Sequence, residues 1–91
     1  MLHLRIVRNQ MALAIKKVRA DVAANLRAAR RRLGLSQEAL ALTADIDRAY
    51  LSRIERGLAN PSLTTLAKLA HALQMPLDEL VKHHNSRRRP T

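Results

Sequence analysis

From Asp21 onward, apolar positions recur at helical spacing and are punctuated by residues that start and stop helices. Val22, Leu26, Ala29 and Leu33 follow one another at intervals of four, three and four, which is one face of a helix. Asp21 is a residue type that caps a helix start, and Gly34 supplies a left-handed end. Ser36 is placed to cap a short helix, "QEALALTA", whose Leu40, Ala41 and Ala44 share a side. "DID" then turns the chain, Asp47 caps a third helix, and Gly57 ends it. After the loop "ANPS", Ser62 caps a helix with Leu63, Leu66, Leu69, Ala70 and Leu73 inward. A last short helix is predicted from Leu77 to about His83, with Leu77, Leu80 and Val81 as its apolar positions. Five helices joined by loops of a few residues imply a compact all-α domain over residues 21–83.

The two ends read differently. Met11, Ile15 and Val18 carry the same spacing into Val22, so residues 1–20 are either a basic N-terminal arm or an extension of the first helix, beginning near Asn9. "LHLRI" alternates like a strand but is too short to decide anything. Residues 84–91, "HNSRRRPT", have no apolar period and are expected to form a basic, disordered tail. No internal repeat is present.

Composition narrows the reading further. The 91 residues suit one small domain, and with four Val and four Ile the apolar content is mostly Leu and Ala, which favours helix over sheet. Without cysteine there is no disulfide framework and no zinc-finger ligand set. No stretch resembles a signal peptide or a membrane span, so a cytoplasmic protein with no membrane role is expected. A net charge of +10 calls for a polyanionic partner, and both ends are more basic per residue than the middle. One tyrosine with no Phe or Trp argues against base stacking on single strands or RNA. There is no nucleophilic cysteine and no glycine-rich phosphate loop, so no enzyme is expected. Adjacent His83 and His84 point about 100° apart on a helix, so no metal and no cofactor is expected either.

The elements "LSQE", "YLSRIERG", "NPSL" and "LAKLAHAL" stand in order across residues 21–83, and together they resemble the lambda-repressor/Cro-like helix-turn-helix family, also called the XRE family. Within it, "DRAYLSRIERG" looks like that of restriction-modification controller proteins, which are small one-domain dimers. The resemblance implies a five-helix lambda-repressor-like domain that binds double-stranded DNA as a transcription regulator. It also implies a homodimer on a palindromic operator, with the helix at about 48–56 in the major groove. By the same resemblance Arg48, Ala49, Ser52 and Arg53 are candidate base readers, with Tyr50 and Arg56 flanking them. Gln37 matches a phosphate-anchoring glutamine, and Tyr50, Asn60, Ser62 and Thr64 are expected at the DNA backbone. Arg30 and Glu55 match a buried ion pair of some members.

Two positions depart from the family pattern. Asp45 stands where glycine is usual in the turn, and Leu42 is apolar where the family is commonly polar, which suggests packing beneath the N-terminal arm. Met75, Leu77, Leu80 and Val81, joined by Met11, Ile15 and Val18, are the apolar material for a dimer interface, with ordinary core the competing role for Leu77 and Leu80. Because the family includes antitoxins, a toxin is the alternative protein partner.

Overall fold

The computed structural model describes residues 2–84, which form five helices: α1 (Leu2–Arg32), α2 (Gln37–Ala44), α3 (Arg48–Glu55), α4 (Leu63–Ala72) and α5 (Leu77–Val81). Of the basic tail expected over 84–91, everything after His84 lies outside the described residues. No strand occurs among the described residues, so "LHLRI" is helical.

The 31 residues of α1 run without a break through Asp21, giving a rod about 46 Å long. Asp21 is therefore not a helix cap. It lies mid-helix, where its Oδ1 accepts the backbone N–H of His84 at 3.2 Å and lies 3.5 Å from Nδ1 of His83. Only the second half of α1 enters the core. Val22, Ala23, Leu26 and Ala29 are buried, whereas Met11, Ile15, Val18 and Leu33 are exposed. Leu33 falls where the helix ends in the turn closed by Gly34 (φ 69°), with Leu35 N–H on Arg30 O at 3.0 Å.

Around that half of α1 the other helices close a single core of Leu40, Ala41, Ala44, Leu51, Ile54, Ala59, Leu69, Ala70, Leu73 and Leu80. α1 packs on α3 and α5, α2 on α3 and α4, and α4 on α5. Ser36, Asp47 and Ser62 each cap a helix as expected, accepting from Ala39, Tyr50 and Thr65 N–H respectively. Gly57 (φ 71°) ends α3 where the chain crosses α1. A Cβ there would stand 3.9 Å from Ala20 Cα and Arg19 O, which is ordinary contact, so the positive φ is what calls for glycine.

Several expected packing roles change. Leu63 is exposed, because it begins α4 on the side away from the core. Leu42 is 82% exposed and packs beneath nothing, since α1 passes over α3 and α5 rather than α2. Leu80 is fully buried and belongs to the core, Met75 and Leu77 are half-buried against it, and Val81 remains exposed. α5 stops at Val81 rather than near His83.

Candidate nucleic-acid interface

The turn between α2 and α3 sets how α3 is presented. Asp45 takes the left-handed conformation (φ 57°, ψ 52°), the one a glycine would adopt there. Its own N–H reaches Leu42 O at 3.2 Å, and the next N–H, of Ile46, reaches Ala41 O at 3.0 Å. These bonds satisfy the last carbonyls of α2, and the Ile46 side chain is tucked against the core. Asp47 then starts α3, whose Leu51, Ile54 and Glu55 are buried. Its other face leaves Arg48, Ala49, Arg53 and Arg56 exposed, with Ser52 half-buried among them.

Beneath α3 lies a polar clamp. Glu55, only 2% exposed, accepts from Arg30 Nε at 2.7 Å on Oε2, and from Arg30 Nη2 and Gln37 Nε2, both at 3.0 Å, on Oε1. Arg30 Nη1 also donates to Leu35 O at 2.8 Å, and Arg27 donates to the Glu55 carbonyl, closing the end of α3. Three helices are thereby tied at one carboxylate, and the Arg30–Glu55 pair is present as expected. Such a pair fixes the placement of its partners more than it adds net stability. The Arg27 bond and the Gln37–Glu55 bond went unread in the sequence, since their partners lie 28 and 18 residues apart.

The structure gathers Gln37, Arg48, Ala49 and Ser52 around one shallow, open hollow between the start of α2 and the outer face of α3. Arg53 lies further along the same helix, and Arg56 caps its end. Among the described residues none of Arg48, Arg53 and Arg56 has an acidic partner, so their charge is presented to solvent. Tyr50 is half-buried and packs on the core, which leaves only part of its ring accessible. Ser62 and Thr64 stand at the exposed start of α4. Ser62 Oγ is occupied by Thr65, accepting its N–H and donating to its Oγ1, both at 3.0 Å. Asn60 is set apart from the hollow, its Oδ1 accepting from Arg19 of α1 at 3.4 Å. His3 and His71 are exposed.

A rigid helix with guanidinium groups, a methyl group and a hydroxyl on its free face can offer bidentate donors and small contacts to an edge lined with acceptors. Comparison with known proteins places the fold. The helix-turn-helix family HTH_3 matches residues 26–80. The HTH-type transcriptional regulator y4dJ of Sinorhizobium fredii is 41% identical over 64 residues, covering 70% of this chain and 83% of that protein. The control protein C.MunI of a Mycoplasma species is 48% identical over 46 residues, covering 50% of this chain and 62% of that one. Among solved structures, the restriction-modification controller protein C.AhdI from Aeromonas hydrophila has a TM-score of 0.67 at 42% identity, over 68% of this chain and 94% of that one. The hypothetical transcription factor NHTF from Neisseria has a TM-score of 0.72 at 36% identity, over 76% and 79%. These relatives are named as regulators, not enzymes, and no helix among the described residues is long and apolar enough to cross a membrane. The chain belongs to the helix-turn-helix family, as an XRE-like DNA-binding transcription regulator.

Proposed function

We propose that the protein recognises a specific duplex DNA operator by laying α3 in the major groove. The observation that carries this reading is the free face of α3. Arg48 and Arg53 stand unpaired beside Ala49 and Ser52 on a helix locked by the Asp45 turn and the Glu55 clamp. Arg48 and Arg53 each suit O6 and N7 of a guanine, Ala49 a thymine methyl, and Ser52 either a base edge or a nearby phosphate. Gln37 keeps a second amide N–H beyond its Glu55 bond, and that N–H suits a phosphate. Tyr50 and Arg56 flank the readers, and with Asn60, Ser62 and Thr64 they serve the DNA backbone. One such domain makes few base contacts, so two copies bind about a two-fold axis. The operator is then an imperfect palindrome with half-sites about 10 base pairs, or 34 Å, apart.

The test is a competition titration at about 0.15 M salt, where duplex DNA must bind far better than single strands of the same sequence. Arg48→Ala should then weaken the selected operator by about 1–3 kcal/mol and relax preference at one base pair. Equal affinity for duplex and single strand, or an Arg48→Ala protein with unchanged sequence preference, would end this reading.

A further inference from the structure

The first half of α1 is a helix with nothing packed on it. Leu2, Ile6 and Leu13 lie exposed on one side of it, and five further apolar positions form a stripe on the other. Leu4, Val7, Met11, Ile15 and Val18 continue, at intervals of three and four, into Val22, Leu26 and Ala29 of the core. A straight helix keeps such a spacing on one face, so the stripe that builds the core runs on into solvent. Leu4, Met11, Ile15 and Val18 are each half or more exposed. Where the rod leaves the body, Ala14, Ile15, Val18 and Val22 form one wall of an apolar groove of about 310 Å³, with Pro61, Leu66 and Val81 opposite. This arm also lies outside the 26–80 span matched by the family.

We infer that the stripe is covered by the same stripe of a second copy, the two arms lying antiparallel with Met11 at the two-fold axis. The positions are self-complementary. With Met11 facing the partner's Met11, Leu4 meets the partner's Val18 and Val7 meets the partner's Ile15. Leu4 of each copy then enters the groove of the other, between α1 and Val81. The exposed fractions of Leu4, Val7, Met11, Ile15, Val18 and Val81 amount to roughly 1,000 Å² over two copies, the area at which a specific interface becomes tenable. A second copy is favoured over a nucleic-acid backbone because the stripe itself carries five large apolar side chains. The arm's cations, Arg5, Lys16, Lys17 and Arg19, lie to its sides, and Arg8 alone falls within it. The inference deepens the dimeric reading proposed above by naming its surface, and it rests on that reading for its role at an operator.

The chain has no cysteine, so cross-linking can report the register directly. Under mild oxidation Met11→Cys should form a disulfide-linked dimer on its own. A mixture of Leu4→Cys and Val18→Cys should yield the mixed dimer in preference to either self-linked one. In sedimentation equilibrium, Met11→Glu with Ile15→Glu should raise the dimer dissociation constant by more than about a hundredfold. Leu13→Glu, on the opposite face, should change it by less than about threefold. Circular dichroism of each variant keeps loss of fold apart from loss of association. With no acid before Asp21, the arms repel across the seam, so salt should tighten the dimer while it weakens DNA binding. If the double glutamate variant still dimerises, the seam is wrong and the dimeric reading stands on another surface. If the unaltered protein is a monomer both free and on DNA, both fail. An arm protected from proteolysis only when duplex DNA is added would assign it to the phosphate backbone and overturn the seam.

Discussion

Replacing Arg30 with methionine keeps an unbranched apolar stem and removes the whole cationic half of the clamp. Three bonds go with it: two to the Glu55 carboxylate and one to Leu35 O. Glu55 would keep only the Gln37 amide while remaining almost wholly buried. Removing one member of a buried pair costs about 3–5 kcal/mol, since the remaining charge is stranded. A chain of this size holds about 5–14 kcal/mol in total, so the loss is most of its stability at the lower bound. At about 4–8 °C per kcal/mol, the melting temperature should fall by about 12–40 °C. Removing both charges together, as Arg30→Met with Glu55→Leu, should restore most of that loss, because no buried charge is then left alone. Thermal and urea unfolding of the four proteins, followed by circular dichroism, completes the cycle. If Arg30→Met costs less than about 1 kcal/mol, or the double variant is no better than the single one, Glu55 is not held as described.

Three shorter expectations concern the turn and the exposed face. Asp45→Gly should leave stability unchanged or raise it by up to about 1 kcal/mol, since φ at this residue is 57°; a loss in urea unfolding would mean the Asp side chain contributes something its backbone angle does not suggest. Leu42→Gln should change stability by less than about 0.5 kcal/mol, because Leu42 projects into solvent, and a larger loss would reveal packing not seen here. Arg53→Gln should alter base preference if Arg53 reads an edge. If it holds a phosphate, the log-affinity against log-salt slope should instead fall by about 1 with preference unchanged.

What could be read from the chain beforehand follows the range of each interaction. The caps at Ser36, Asp47 and Ser62 and the turns at Gly34 and Gly57 act within a few residues, so residue type and spacing announce them. The left-handed Asp45 was legible too, because aspartate tolerates that region where most side chains do not. Leu63 and Leu33 were misplaced because periodicity finds a helix face without saying whether a neighbour reaches its ends. Asp21 was misread for a related reason. Its residue type fits a cap, but its carboxylate is taken by His84, 63 residues away. The Arg30–Glu55 pair was visible only through the family resemblance, and the Gln37 bond to the same carboxylate was not visible at all. Charge on α3 pointed to its free face, yet nothing local showed that Gln37 would share a hollow with Arg48, Ala49 and Ser52.

Asn25 offers a last test, of how the far end of the domain is held. Its side chain is buried on α1, between the core and the end of α5. Nδ2 donates to Leu80 O at 3.0 Å and to Lys82 O at 2.8 Å, while Oδ1 pairs with His84 Nδ1 at 2.7 Å. α5 has only five residues and no glycine to close it, so its final carbonyls need donors from elsewhere. Asn25 supplies two of them from 55 and 57 residues away, and Oδ1 requires His84 to be protonated on Nδ1. Asn25→Ala would leave two carbonyls short of donors at a cost of about 2–4 kcal/mol. Asn25→Asp should be worse, because it sets a carboxylate against the carbonyls that the amide had bonded. The damage should begin locally, since α5 is the shortest helix and joins the body through α1 and α4. Amide hydrogen exchange should therefore show α5 losing protection at temperatures where α2 and α3 keep theirs. If α5 amides exchange at the same rate in Asn25→Ala as in the unaltered protein, the latch is not what holds α5 to α1. Its attachment would then rest on Leu80 in the core and Leu77 packed against it.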